Sequence, residues 1–138
     1  MNYNEICSYL DSLDQFNEGT GVERGRKLLK IMENPEKSLK VIHIAGTNGK
    51  GSVCSYIRQQ GYKVGLFTSP HLNTIRERIQ INRELIPEEE FTEYFNQVYE
   101  AVSTNNVKLA YFDFFFGAAM LYFDKCKVDY VVLETGLG

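Results

Sequence analysis

The sequence predicts an α/β fold with a mostly parallel sheet, centred on a strand, a glycine-rich loop and a helix. Three observations lead there. Short apolar runs stand at Lys40–Ala45, Val64–Phe67 and Val128–Leu133, each of strand length and apolar enough for burial on both faces, as parallel sheets require. Stretches with apolar residues at helical spacing separate them. Between the first run and its helix lies Gly46-Thr47-Asn48-Gly49-Lys50-Gly51-Ser52, whose glycines let the backbone curl so that its N–H groups face an anion. The chain has 138 residues, 43% hydrophobic and 13% aromatic, enough for one domain with a real core.

The remaining composition narrows the function classes. A net charge of −3 gives no reason to expect a nucleic-acid partner or an anionic membrane. Three cysteines, Cys7, Cys54 and Cys126, are odd in number and far apart. That argues against a disulfide framework or a structural zinc and for thiols in a reducing cytoplasm. The N-terminus has no signal-peptide pattern, and the most apolar stretch, Phe114 to Phe123, is too short to span a bilayer.

The elements follow in order. Tyr3, Ile6, Leu10 and Leu13 fall at helical spacing and predict a helix from about Asn4 to Leu13. A turn-rich segment, Phe16 to Gly21, precedes a second helix, Val22 to Glu33, with Leu28, Leu29 and Met32 on its buried side and Pro35 ending it. The first strand, Lys40–Ala45, leads into the loop, and a helix runs from Val53 to about Gln60 until Gly61-Tyr62-Lys63 breaks it. The second strand is Val64–Phe67. Glu77 to Asn82 alternates, with Ile79 and Ile81 on one side and Arg78 and Gln80 on the other, which predicts a half-exposed strand. Pro87 followed by three glutamates starts a helix with Phe91, Tyr94, Phe95, Val98, Tyr99 and Val102 on its apolar face. Tyr111–Phe123, apolar almost all round, is a buried helix, with Asp113 read as an N-cap carboxylate. The third core strand, Val128–Leu133, is the last element of the chain, which predicts an exposed apolar sheet edge there.

Several residues suggest chemistry. In the loop, backbone N–H groups and the positive end of the following helix suit phosphate. Lys50 adds a full charge and Ser52 a hydroxyl for the metal–phosphate region. The fit to the general pattern G-x-x-x-x-G-K-[ST] is partial, because Ile44 stands where its first glycine belongs and Gly51 follows Lys50. A plain Gly/Asn turn with a surface lysine is the alternative. Thr68-Ser69-Pro70-His71-Leu72 follows the second strand at the sheet's carboxyl edge, where ligands bind in open α/β sheets. It reads either as a turn before proline or as a hydroxyl ligand for Mg²⁺. Glu134, delivered to the same edge by the third strand and followed by Thr135-Gly136-Leu137-Gly138, is a second candidate Mg²⁺ ligand or a plain edge residue. His71 reads as a local structural group, and His43 as a core or edge histidine.

The string Gly46–Ser52 resembles the phosphate loop of the Mur-ligase superfamily, and within it that of the folylpolyglutamate synthase/dihydrofolate synthase family. Gly21-Val22-Glu23-Arg24, Thr68–Leu72, Arg76-Glu77-Arg78-Ile79 and Leu133-Glu134-Thr135-Gly136-Leu137-Gly138 are similar to further motifs of that family. The resemblance implies a three-layer fold like the Mur-ligase central domain. It implies ATP and Mg²⁺ as cofactors, with Gly46, Thr47, Asn48, Gly49, Lys50, Gly51 and Ser52 binding nucleotide. Lys50 is the catalytic charge, Ser69 and Glu134 are the metal ligands, and Asn17, Glu18, Gly19, Thr20, Phe112 and Asp113 bind the pterin-bearing substrate. Three departures stand out. The helix after the loop is shorter than the family pattern by about one turn of ~3.6 residues. Asn82-Arg83 replaces the usual asparagine-glycine turn, and Asp113 stands where the family has glutamate.

The implied activity is ligation of L-glutamate to dihydropteroate or to folate polyglutamates through an acyl phosphate, by a protein that is a monomer at full length. The alternative is a nucleotide-binding module or another Mur-type amide ligase. The resemblance covers nearly the whole chain but only the N-terminal part of the family's proteins. It therefore implies that residues 1–138 are part of the ATP-binding domain of a truncated member lacking the C-terminal domain and inactive alone.

Overall fold

A computed structural model of the chain describes residues 1–13, 21–45, 50–69 and 71–135. The elements are α1 (Tyr3–Asp11), α2 (Gly21–Ile31), β1 (Val41–Ala45), α3 (Lys50–Gln59), β2 (Val64–Phe67), β3 (Ile79–Ile81), β4 (Glu84–Leu85), α4 (Glu88–Thr104), α5 (Tyr111–Cys126) and β5 (Tyr130–Thr135). They fall into two compact units, one of Met1–Glu36 with Glu88–Tyr122, the other of Lys37–Pro87 with Phe123–Gly138.

The first unit is helical. Asn2 caps α1, its side chain accepting from Glu5 N while Glu5 returns a bond to Asn2 N, which satisfies two of the orphan donors at the helix start. The apolar face of α1 meets that of α4 through rings: Tyr3 lies edge-on to Phe91 at 6.3 Å and Tyr9 edge-on to Phe95 at 6.1 Å. Phe95 in turn stacks on Phe114 of α5 at 5.1 Å. Gly117 marks a close approach, since a Cβ there would sit 3.0 Å from Val98 and 3.1 Å from Leu28. Leu28 is buried, whereas Leu29 and Met32 are half-buried. α2 ends in two left-handed residues, Glu33 and Asn34, just before Pro35. α4 begins behind Pro87 with Glu88, Glu89 and Glu90 in its first turn, as the sequence predicts.

The second unit is a five-stranded mixed sheet of order β1-β5-β2-β3-β4. β1, β5 and β2 are parallel, and β3 and β4 extend the sheet antiparallel. α3 covers it through Ile57, which joins Val64 and Val132 in a cluster with Ile42, Ile44, Val53, Cys54, Leu66 and Tyr130. Ile57, Val64 and Val132 are its buried members, each contributing roughly 1.5–3 kcal/mol.

Three expectations are corrected here. β5 is not a sheet edge: it lies between β1 and β2, bonded to both, because the chain crosses from β1 to β2 leaving a gap that the last strand fills. The edge strands are β1 and β4, and β1 is not buried on both faces: Val41 is 45% exposed and His43, two residues on, is exposed as well, the edge reading of that histidine. Glu77 and Arg78 are not strand. They belong to a 3-10 turn, Ile75–Arg78, capped by Thr74, and this turn rotates Arg78 into the protein, where it is 5% exposed.

Candidate functional site

The parallel register sets the site. Ile44 of β1 pairs with Glu134 of β5, and Phe67 of β2 pairs with Leu133. The carboxyl ends of β1, β5 and β2 are therefore level, and Thr68 emerges beside Glu134. Glu134 is 2% exposed and Thr68 6% exposed; the Thr68 hydroxyl donates to Glu134 Oε2. Ser69 is the next residue, half-buried. Ser69 and Glu134 thus share the sheet edge at which β1 ends and α3 begins. The helix starts at Lys50 rather than Val53, so Lys50, Gly51 and Ser52 form its first turn. Gly46, Thr47, Asn48 and Gly49, which separate strand from helix, lie outside the described residues, as do Asn17, Glu18, Gly19, Thr20 and Pro70.

The loop after Ser69 is organised by residues that sequence reasoning gave no site role. The Glu77 carboxylate accepts from three successive backbone N–H groups, Leu72 at 3.0 Å, Asn73 at 2.8 Å and Thr74 at 2.9 Å. The bonds from the Leu72, Thr74 and Asn73 amides hold its carboxyl below the ordinary value. Arg78 Nε donates to His71 Nδ1 at 2.9 Å, and its carbonyl accepts from Thr68 N at 3.0 Å. His71 is thereby a hydrogen-bond acceptor within the loop, the structural role expected of it. The signal for Glu77 was its spacing of three to five residues from the amides it caps. No local signal links Thr68 to Glu134, 66 residues apart.

Phe112 and Asp113 belong to the helical unit. Phe112 is 39% exposed, while Asp113 is buried. Asp113 is the third residue of α5, not its N-cap, and its Oδ2 accepts from Ala110 N at 3.0 Å. This is the reach-back half of a capping box.

The donor set at the sheet edge fits a hard cation. A carboxylate and neighbouring hydroxyl oxygens suit Mg²⁺, which takes one or two protein oxygens and completes its shell with water and phosphate. Among the described residues no group of three His, Cys, Asp or Glu side chains could hold a metal ion.

No protein-family model matches the chain. Individual relatives do. The dihydrofolate synthase/folylpolyglutamate synthase of Bacillus subtilis is 38% identical over 99% of this chain and 34% of its own length. A folylpolyglutamate synthase of Arabidopsis thaliana is 39% identical over 99% of this chain and 27% of its own. The crystal structure of the folylpolyglutamate synthase of Thermotoga maritima superposes with a TM-score of 0.84 at 38% identity, over 99% of this chain and 33% of that one.

The chain belongs to the folylpolyglutamate synthase/dihydrofolate synthase family.

It spans about one third of the length of the curated relatives it matches. The bifunctional synthase of Yersinia pestis, solved as a complex with AMPPNP and a Mn ion, also matches this family member, with a TM-score of 0.84 at 31% identity over 100% of this chain and 34% of that one. The α/β architecture is that of these Mur-ligase-like synthases. Among the described residues no helix is long and apolar enough to cross a membrane.

Proposed function

We propose that residues 1–138 supply the nucleotide-binding part of an ATP-dependent ligase that joins L-glutamate to dihydropteroate or a folate. The observation that carries this reading is the buried Glu134 carboxylate, held by Thr68 beside Ser69 at the edge where α3 opens. Relatives solved with AMPPNP, Mn and L-glutamate, and with AMPPCP and folate, support it.

A carboxylate is a poor electrophile, and phosphorylation by ATP turns it into an acyl phosphate that an amine can attack. Such a transfer needs positioning and charge neutralisation more than covalent help from the protein. In this reading Gly46 to Ser52 wrap the phosphates, the α3 N-terminus adds its positive end, and Lys50 neutralises the outer charge. Ser69 and Glu134 hold Mg²⁺, with Thr68 orienting the carboxylate. The metal, when bound, draws charge from the phosphate oxygens. Asn17, Glu18, Gly19, Thr20 and Phe112 are the candidates for the pterin-bearing substrate. Asp113 is a weaker one, since its carboxylate serves the start of α5.

The 138 residues by themselves bind nucleotide and do not complete ligation. Placing the second reactant contributes on the order of 7–11 kcal/mol to such reactions, and these residues match one third of the relatives' length. The test supplies the purified chain with ATP, Mg²⁺, dihydropteroate and labelled glutamate. The expected result is Mg²⁺-dependent ATP binding lost in Lys50→Ala, with no label incorporated. Absence of ATP binding would refute the nucleotide reading. Steady incorporation abolished by Lys50→Ala would show that the chain is a ligase in its own right.

A further inference from the structure

The opposite edge of the sheet carries a second polar cleft. Its walls are Ser55, Arg58 and Gln59 from the last turns of α3, Tyr62 just beyond them, and Asn82 and Arg83 from the β3–β4 turn, around a cavity of about 440 Å³. That size is typical of small-molecule sites, roughly 300–1,000 Å³. Topology separates it from Ser69 and Glu134. α3 runs from Lys50 to Gln59 before the chain enters β2 at Val64, and β3, antiparallel to β2, ends with Ile81 beside Gly65.

The lining includes two guanidinium groups and no carboxylate, in a chain of net charge −3. Among the described residues neither the Arg58 nor the Arg83 side chain has a hydrogen-bond or carboxylate partner. Asn82 Oδ1 accepts from Val64 N at 3.0 Å, which leaves the two N–H donors of the same amide for another acceptor. Free arginines are common on surfaces; the backbone under Arg83 is not. Asn82 has φ 48° and Arg83 φ 72°, the left-handed pair of a two-residue hairpin turn whose second position favours glycine. An arginine there accepts strain that glycine would not. Such strain is characteristically kept where a side chain has a task.

We propose that this cleft binds a small polyanion bearing at least two phosphate or carboxylate groups. Arg58 and Arg83 grip separate anionic groups, and the Asn82 amide donates a third contact. Guanidinium forks suit both oxyanions, in one or two parallel hydrogen bonds each. The site is independent of the phosphate loop and involves no covalent step.

The test is calorimetric titration and thermal unfolding of the 138-residue chain with tripolyphosphate and, separately, citrate. Four forms are compared: wild type, Arg58→Gln, Arg83→Gly and Lys50→Ala. At least one of the anions is expected to bind wild type and to bind Lys50→Ala still, since that substitution takes away only what the phosphate loop contributes. Each arginine variant is expected to bind about tenfold or more weakly. Binding of tripolyphosphate alone assigns the site to phosphates, and binding of citrate extends it to carboxylates. Arg83→Gly, relieved of its strain, is expected to unfold at or above the wild-type temperature, so that its weakened binding is not misfolding. Binding retained in both arginine variants, binding lost in Lys50→Ala, no binding of either anion to wild type, or an Arg83→Gly chain less stable than wild type would each overturn the proposal.

Discussion

β2 carries a glycine in the middle of a core strand, and its reason is a single ring. A Cβ on Gly65 would lie 2.8 Å from both Cδ1 and Cε1 of Phe123 and 3.1 Å from its Cγ, against roughly 3.5–4.0 Å for carbon atoms in comfortable contact. Phe123 is fully buried and belongs to the same compact unit, so the ring has no solvent to swing into. Overpacking of this kind costs about 1–3 kcal/mol. Alanine recovers part of that, about 0.4–1 kcal/mol, by restricting the unfolded chain, leaving Gly65→Ala destabilised by about 1–2 kcal/mol. Phe123→Ala removes the atoms that clash and should cost about 3–5 kcal/mol on its own through lost packing. In the double variant the two costs should not add: the clash is gone, and a coupling of at least ~0.5 kcal/mol is expected. Urea unfolding of the four chains measures it. Because Thr68 lies only three residues beyond Gly65, ATP affinity should fall in Gly65→Ala and recover in the double variant. Additivity within ~0.3–0.5 kcal/mol would show that ring and strand do not meet as described.

Other expectations follow from the same geometry. Thr68→Val keeps the shape but removes the donor to the buried Glu134 carboxylate; a loss of about 1.5–3 kcal/mol in denaturant unfolding is expected, and a loss near zero would mean the bond is not made. Glu77→Gln should lower the unfolding temperature at neutral pH. The folded carboxyl lies below its ordinary 4.5, so its stabilisation is present above that value and disappears as pH falls through the folded value; the gap between wild type and variant should therefore close in acid, and a gap independent of pH would contradict the three-amide clamp. Gly61→Ala, at φ 90° with no atom within 4 Å, should cost about 1 kcal/mol or more through the backbone alone, and no partner substitution should rescue it.

Much of this fold was legible because local chemistry dictated it. Pro87 and the glutamates behind it announced α4, and Val64–Phe67 matched β2 residue for residue. The start of α3 was harder to read, because Gly49 and Gly51 on either side of Lys50 have low helix propensity and hide a helix that begins between them. Strand order was not legible at all. Position along the chain put β5 at the rim, while pairing puts it in the middle, and nothing local encodes which gap a strand fills. Alternation likewise failed at Arg78, because a capped 3-10 turn turns that side chain inward. Of the candidate site, the motif residues Ser69 and Glu134 were found in sequence and stand on one edge. Of their supports, Glu77 had a local signal in its spacing from Thr74, whereas Thr68 and Arg78 act through hydrogen bonds that no spacing rule exposes.

The central claim is that one sheet edge holds nucleotide and metal together. Mn²⁺ in place of Mg²⁺ tests it directly, because its unpaired electrons broaden the amide signals of nearby residues in a ¹⁵N-labelled chain. With AMPPCP present, broadening should centre on Thr68, Ser69 and Glu134 and on the first turn of α3, should require the nucleotide, and should vanish in Glu134→Gln. Broadening centred elsewhere, or unchanged in that variant, would contradict the account.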